Sequence, residues 1–272
     1  MTDLMRYDGK RTIVTGAASG MGEATARLVT GLGGEVYALD VAEPTVPVTK
    51  YIRTDLSDPK SVQSAVETIS GPVHALFNCA GLPNGRFPGQ QVFAVNFLGH
   101  RLLTELVAPL MPKGGAIAFI SSVGGLNWMS HMGELAELSG ITDYAEAKAW
   151  AGKRDDLVAE GYAFSKEAII YYTMMRSNSA LQQGLRINCI SPGPTDTAMM
   201  PAFEDAMGKD YMTSFPKPIG RNSTAEEQAY PLVFLNSDAA SYISGHNLMA
   251  DGGFLAAMMT GQIDPATLAP PS

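Results

Sequence analysis

Tyr162 and Lys166 stand four residues apart in the run Tyr162-Ala163-Phe164-Ser165-Lys166. On a helix that spacing puts a phenol and an ammonium on one face, a turn apart. A free tyrosine titrates near ~10, so a phenol that exchanges protons at neutral pH needs on the order of 4 kcal/mol in favour of its anion. A fixed neighbouring cation supplies part of that. Surface helices carry such pairs without any chemistry, so the pair gains meaning only in company. That company stands near the other end, where Thr15-Gly-Ala-Ala-Ser-Gly-Met-Gly22 follows the apolar run Arg11–Thr15. A helical pattern over 23–29 comes next, with Met21, Ala24 and Leu28 on one side. A strand passing through a glycine-rich turn into a helix is a phosphate cradle. Glycines let the backbone approach a pyrophosphate, and the helix N-terminus offers unpaired N–H groups. The plain alternative is an ordinary tight turn; Gly16, Gly20 and Gly22 together favour the dinucleotide loop.

The next strand, Glu35–Asp40, ends on a carboxylate. At that place Asp40 can accept hydrogen bonds from both adenosine ribose hydroxyls. It also repels a 2′-phosphate, by roughly 4 kcal/mol per unit charge at ~4 Å and an effective dielectric of ~20, before screening. No basic residue stands at Ala17, Ala18, Ser19 or Val41 to offset it. NAD is therefore expected over NADP.

The elements that must hold these groups follow in turn. Strands are expected at 50–53, 74–77, 116–120 and 186–190, and a seventh before Asp251-Gly-Gly253. Ser57-Asp58-Pro59 starts a helix whose buried side is Val62, Ala65, Val66 and Ile69. One long helix is expected over 92–111, containing Asn96 and a surface or packing histidine, His100. Residues 123–161 are the least ordinary region, with helical pieces around 134–138 and 144–150. Trp128 there either packs or lines a substrate cleft, and His131 lacks metal-spaced partners, so no metal is expected. A helix over 162–183 carries the Tyr–Lys pair, with Ala168, Ile169, Tyr172 and Met175 apolar along one side. Residues 198–218 are rich in Met and Phe and read as a mobile lid over an apolar ligand, or as an ordinary amphipathic helix. A last helix spans 225–235, and the tail from Phe254 carries no readable chemistry. Alternating strands and helices mean a doubly wound parallel α/β sheet, whose ligands gather at the strands' carboxyl ends.

The 272 residues suit one such domain. Hydrophobic content of 46% and charged content of 17% are globular. A net charge of −8 argues against a nucleic-acid partner or an anionic membrane surface, since both want a basic patch. Cys79 and Cys189 read as buried free thiols. With no apolar signal core at 1–6 and no membrane-length run, a soluble, cytoplasmic protein is expected.

Taken in order, Thr15-Gly-xxx-Gly-x-Gly22, Asp55, Asn78-x-Ala-Gly81, Asn96, Ser122, Tyr162-xxx-Lys166, Pro192-Gly193 with Thr197, and Asp251-Gly-Gly253 resemble the short-chain dehydrogenase/reductase family over nearly the whole chain. Cys79 stands where the family usually has a second asparagine. The 40 residues from Ser122 to Tyr162 are far more than most members have. An insertion there is similar to that of the 3α-hydroxysteroid dehydrogenase/carbonyl reductase and coniferyl-alcohol dehydrogenase subgroup. The resemblance implies a Rossmann-type, three-layer α/β/α single domain with seven strands in the order 3-2-1-4-5-6-7. It implies an insertion at about 123–161, a substrate lid at about 197–220 and a tail from 254. It further implies that Tyr162 exchanges the substrate proton, that Lys166 lowers its pKa and bonds the nicotinamide ribose, and that Ser122 donates to the reacting oxygen. Asn96 would hold a water linking Lys166 to solvent. NAD would lie along Gly16, Ser19, Gly20, Met21 and Gly22, with Asp40 on its ribose. Asp55 and Leu56 would meet adenine, and Asn78, Ala80 and Gly81 the adenosine ribose. Pro192, Gly193, Thr195 and Thr197 would reach the carboxamide end. A homodimer or homotetramer is implied too, although the insertion adjoins the two long helices that relatives use to assemble.

The activity expected is NAD-dependent interconversion of a bulky apolar secondary or allylic alcohol, steroid or aryl-propenoid, with its carbonyl compound. An NADPH ketoreductase is the alternative enzyme, disfavoured by Asp40. A non-catalytic NAD sensor or a purely structural protein would leave the Asn96, Ser122, Tyr162 and Lys166 set without purpose.

Overall fold

A computed structural model describes residues 3–264. In chain order it begins β1 (Arg11–Thr15), α1 (Gly20–Gly31), β2 (Glu35–Asp40), β3 (Lys50–Arg53), α2 (Pro59–Glu67) and β4 (Ala75–Asn78). Then follow α3 (Gly89–Phe93), a π-helical turn (Ala94–Gly99), α4 (His100–Val107) and β5 (Ala116–Ile120). After a 3₁₀ segment (Val123–His131) come α5 (Met132–Gly140), α6 (Tyr144–Ala151), α7 (Asp155–Val158) and α8 (Tyr162–Gln182). The chain continues as β6 (Arg186–Pro192), β7 (Thr195–Asp196), α9 (Met200–Met207), α10 (Lys209–Ser214) and β8 (Ser223–Thr224). It closes with α11 (Ala225–Asn236), β9 (Asn247–Ala250) and α12 (Phe254–Met259).

Seven strands pair in the order β3-β2-β1-β4-β5-β6-β9, all parallel. This is the expected order, β9 being the seventh strand of that sheet. Strands β4, β5 and β6 are buried along their whole length, as a sheet covered on both faces requires. Two apolar clusters fill the layers above and below. One centres on Phe93, Phe97, Phe119 and Tyr172, the other on Tyr7, Val14, Phe77 and Leu232. Asp58 caps α2 by accepting from the Lys60 N–H, with Pro59 just inside the first turn.

Three differences from the sequence reading matter for the site. The single long helix expected over 92–111 is broken by the π turn, which contains Asn96. Single π turns inside helices recur at functional positions. The inserted region forms three helices, α7 being the one not expected. It is clamped to α4 by Arg101, buried to 5% exposure, whose guanidinium donates to the carbonyls of Leu138 (3.1 Å) and Ile141 (2.5 Å) while its Nε donates to Glu105. Met175 is 40% exposed and does not join the buried side of α8.

Candidate active site

The carboxyl ends of the parallel strands open into one cleft of about 980 Å³. That is the size of a site for a cofactor and a substrate together. Every residue expected at the site lines it except Asn78 and Asn96.

At one end the chain leaves β1 through Gly16, with φ +67°. A Cβ on Gly22 would lie 2.1 Å from the Gly16 carbonyl oxygen, so only glycine lets α1 start this close to the turn. Ser19, the N-cap, makes no side-chain bond to that first turn. Asp40 closes this end. Its two carboxylate oxygens each accept one backbone N–H, from Ala18 and Ala42, both at 3.0 Å. The carboxylate is thereby fixed, with lone pairs left for a ligand. Asp55 lines the same end, its Oδ1 accepting from the Ser57 N–H and hydroxyl.

In the middle of the cleft Ser122, Tyr162 and Lys166 meet. Ser122 follows β5 and caps the 3₁₀ segment, its Oγ accepting from the Gly124 N–H at 3.0 Å. Tyr162 opens α8 and lines the cleft with Ser122, whose side chain favours the phenol's anion. Lys166, one turn on, is 4% exposed; its Nζ donates to the Ile120 carbonyl at 2.8 Å and lies 5.5 Å from the Tyr162 ring centroid. Burial brings the Lys166 ammonium down to about 8, so it stays mostly protonated at neutral pH. The Tyr162 phenol is raised above its ordinary value by burial, which outweighs the lowering effect of Ser122. The expectation is that a fixed neighbouring cation supplies part of the lowering. In this geometry the neighbouring cation does not overcome desolvation.

Two expected residues sit beside the cleft and act on it through others. Asn96 is fully buried. Its Oδ1 accepts from the Leu82 N–H (2.7 Å), and its Nδ2 donates to the Leu82 carbonyl (3.0 Å) and to Ser165 Oγ (3.3 Å). It pins the turn after β4 against the first turn of α8. Asn78, 1% exposed, donates to Thr104 Oγ1 at 3.2 Å and does not face the ribose position expected of it. It ends β4 pointing into the layer beneath, so Cys79, Ala80 and Gly81 line the cleft there.

His100 lies below this turn, neither surface-exposed nor a mere packing residue. Its Nδ1 bonds the Asn96 carbonyl (3.1 Å) and its Nε2 the Thr15 hydroxyl (3.0 Å). Thr15 Oγ1 in turn accepts the N–H groups of Cys79 and Ala80. A neutral imidazole satisfies this set; burial lowers its pKa from 6.5 to about 4. The unfolded chain therefore binds the proton first as pH falls. The stabilisation is complete above about 6.5 and is lost towards 4, by roughly 3 kcal/mol. Denaturant melts of the wild type should show that loss, and His100→Leu should flatten it. Equal slopes in the two proteins would contradict it.

The far end of the cleft is apolar. Helices α9 and α10 lie over it, and Phe203 meets the Tyr162 ring edge-on at 5.0 Å. The Met- and Phe-rich segment thus lines the cleft instead of filling the core; among its helical residues only Ala202 is buried. A two-residue ladder, Thr195 with Ser223 and Asp196 with Thr224, brackets its base. The tail, unreadable in sequence, supplies α12: Asp251 accepts the N–H groups of Gly253 and Leu255, and Phe254 stacks on Phe215 at 5.0 Å. An aspartate before two glycines was the available signal for that helix start. The part of the tail over 265–272 lies outside the described residues.

Trp128 packs against Tyr171 at 6.4 Å and the core, not the cleft, because the 3₁₀ segment turns it back onto α8. His131 bonds the buried Glu167 at 2.6 Å and pins the same segment beside Lys166. Nothing in the sequence marks a partner 36 residues away. Among the described residues no group of three or more His, Cys, Asp or Glu could hold a metal, and no helix is long and apolar enough to cross a membrane. Cys79 and Cys189 are free, and burial pushes both thiols up to about 12.

Residues 10–134 match the family model described as short chain dehydrogenase, and residues 144–255 the one described as Enoyl-(Acyl carrier protein) reductase. Coniferyl-alcohol dehydrogenase of Pseudomonas sp. strain HR199 is 30% identical over 250 residues, covering 92% of this chain and 98% of that protein. The chain belongs to the short-chain dehydrogenase/reductase family. The 3-alpha-hydroxysteroid dehydrogenase/carbonyl reductase of Comamonas testosteroni is 30% identical over 261 residues, with the same coverage. Among solved structures, the 3-alpha-hydroxysteroid dehydrogenase from Pseudomonas sp. B-0831 complexed with NADH superposes with a TM-score of 0.79 at 26% identity, over 94% of this chain and all of that one.

Members of this short-chain dehydrogenase/reductase family bind a nicotinamide cofactor, and the residues here fit one. The cradle at Gly22 has no room for a Cβ, Ser19 leaves the start of α1 without a side-chain cap, and the fixed Asp40 carboxylate lies at the end of β2.

Proposed function

We propose that this oxidoreductase interconverts a bulky apolar secondary or allylic alcohol, of hydroxysteroid or aryl-propenoid type, with its carbonyl compound, using NAD. One observation carries the reading: Ser122, Tyr162 and the buried Lys166 line one cleft that has a fixed carboxylate at one end and an apolar wall at the other.

Bound in the cleft, NAD would accept the hydride and bring a positive charge near the phenol. The glycine turn would hold its pyrophosphate, and Asp40 its adenosine ribose. In the oxidative direction Tyr162 takes the hydroxyl proton as the alcohol carbon gives up its hydride. Ser122 donates to the same oxygen, where charge changes most. Lys166 favours the phenolate and reaches the nicotinamide ribose. Residues 197–220 act as a lid that excludes water from an apolar substrate. The Met and Phe side chains facing the cleft support a large hydrophobic substrate.

An NADH-absorbance screen over hydroxysteroid, cinnamyl, terpene and small cyclic alcohols tests this. Turnover concentrated among the steroid or cinnamyl members is expected. Cofactor binding with no NADH formed from any alcohol would overturn it in favour of a nucleotide sensor.

A further inference from the structure

We propose that Glu160 sets the substrate preference at the outer rim of this cleft. It selects alcohols whose far end carries a hydrogen-bond donor, a hydroxyl or phenol, and rejects those ending in a carboxylate. The inference rests on the dehydrogenase reading above and names the substrate's other end.

Among the described residues four charged side chains line the cleft: Asp40, Asp55, Lys166 and Glu160. The two aspartates belong to the nucleotide end, beyond β2 and β3. Lys166 is buried and committed to the Ile120 carbonyl. Glu160, two residues before Tyr162, is therefore the charge that a substrate's distal end meets. It is exposed at the rim, and its Oε2 accepts from Asn84 Nδ2 at 3.2 Å, so a side chain from the facing loop holds the carboxylate in place. Arg86 of that loop does not neutralise it, being paired with Asp205 on α9 at 3.3 Å.

Most of the walls at this end are apolar, Leu82, Phe203, Met207 and Phe215 among them, beside Asn84 and Tyr211. Such walls bind a large substrate without saying which end enters first. One fixed anion among them does. A hydroxyl donates a charge-assisted hydrogen bond to it, a methyl ether cannot, and a carboxylate meets like charge with no cation beside it. Because Glu160 is exposed, solvent screens the effect, so discrimination of about tenfold is expected, equivalent to about 1.4 kcal/mol.

The test is kcat/KM for cinnamyl alcohols bearing hydrogen, hydroxyl, methoxy or carboxylate at the para position. A matched set of 3-hydroxysteroids ending in hydroxyl, methyl ether or carboxylate runs beside it. Wild type should favour hydroxyl over methoxy by about tenfold and turn over the carboxylate worst. Glu160→Gln should move the hydroxyl-to-carboxylate ratio by about tenfold towards the carboxylate, and Glu160→Lys should invert it. Ratios that stay within about twofold of wild type in both variants, while the parent alcohols are oxidised, overturn the role of Glu160. If wild type oxidises no member of either set, the steroid or aryl-propenoid reading itself fails, and this inference with it.

Discussion

Tyr162→Phe is expected to oxidise any alcohol substrate about a thousandfold more slowly than the wild type, while NADH affinity stays within about twofold. Phenylalanine keeps the ring, so the edge-on contact with Phe203 at 5.0 Å survives, as does the ring's position 5.5 Å from the Lys166 ammonium. What goes is the hydroxyl whose anion the Ser122 side chain favours. Without it no group at that point takes the substrate proton, since Ser122 can hydrogen-bond the substrate oxygen but is too weak a base to hold the proton. The wild-type pH profile carries the same signature. Burial raises the phenol above its ordinary value, so it starts protonated in the free cleft. Oxidation should therefore speed up with rising pH, and carbonyl reduction should slow. Stopped-flow NADH formation in both proteins measures this; a kcat within about tenfold of wild type would remove Tyr162 from the chemistry.

Replacing Asp40 should change which cofactor is chosen. Asp40→Ala is expected to weaken NADH binding by about tenfold and to bring NADPH affinity level with it. Two effects act together here. The carboxylate would accept from ribose hydroxyls and would repel a 2′-phosphate, by at most roughly 4 kcal/mol before screening. Asp40→Asn separates them, because it keeps a hydrogen-bonding side chain and removes the charge. The Asn variant should recover NADPH binding with a smaller loss of NADH than Ala. Fluorescence titrations with the two cofactors read both constants. A selectivity ratio unmoved in either variant would mean that the nucleotide is chosen elsewhere.

The parts of this site that sequence revealed are those built by local rules. A glycine turn between an apolar strand and a helix, a carboxylate ending the next strand and a Tyr–Lys pair one turn apart are each set by near neighbours. Strands buried on both faces read as apolar runs, which is why β4, β5 and β6 could be found without a partner. What stayed hidden depends on residues distant in the chain. The π turn at Asn96 is held by hydrogen bonds to Leu82 and Ser165, and no periodicity announces it. Arg101 looks like any charged helix residue until the carbonyls of Leu138 and Ile141 arrive above it. The motif places Asn78 at the ribose, whereas the pleat at the end of β4 sends its side chain to Thr104. Trp128 had two equal uses in sequence, and the turn of the 3₁₀ segment decided for packing.

The central claim is that the phenol, the Ser122 hydroxyl and the Lys166 ammonium face a nicotinamide within this one cleft. A crystal structure of the protein soaked with NADH tests it most directly. The account predicts the ring's reactive carbon within about 4 Å of the space between the Tyr162 and Ser122 oxygens, the range of a near-attack geometry, with the adenosine ribose on Asp40. A nicotinamide bound away from Tyr162, or a nucleotide whose ribose avoids Asp40, would contradict it.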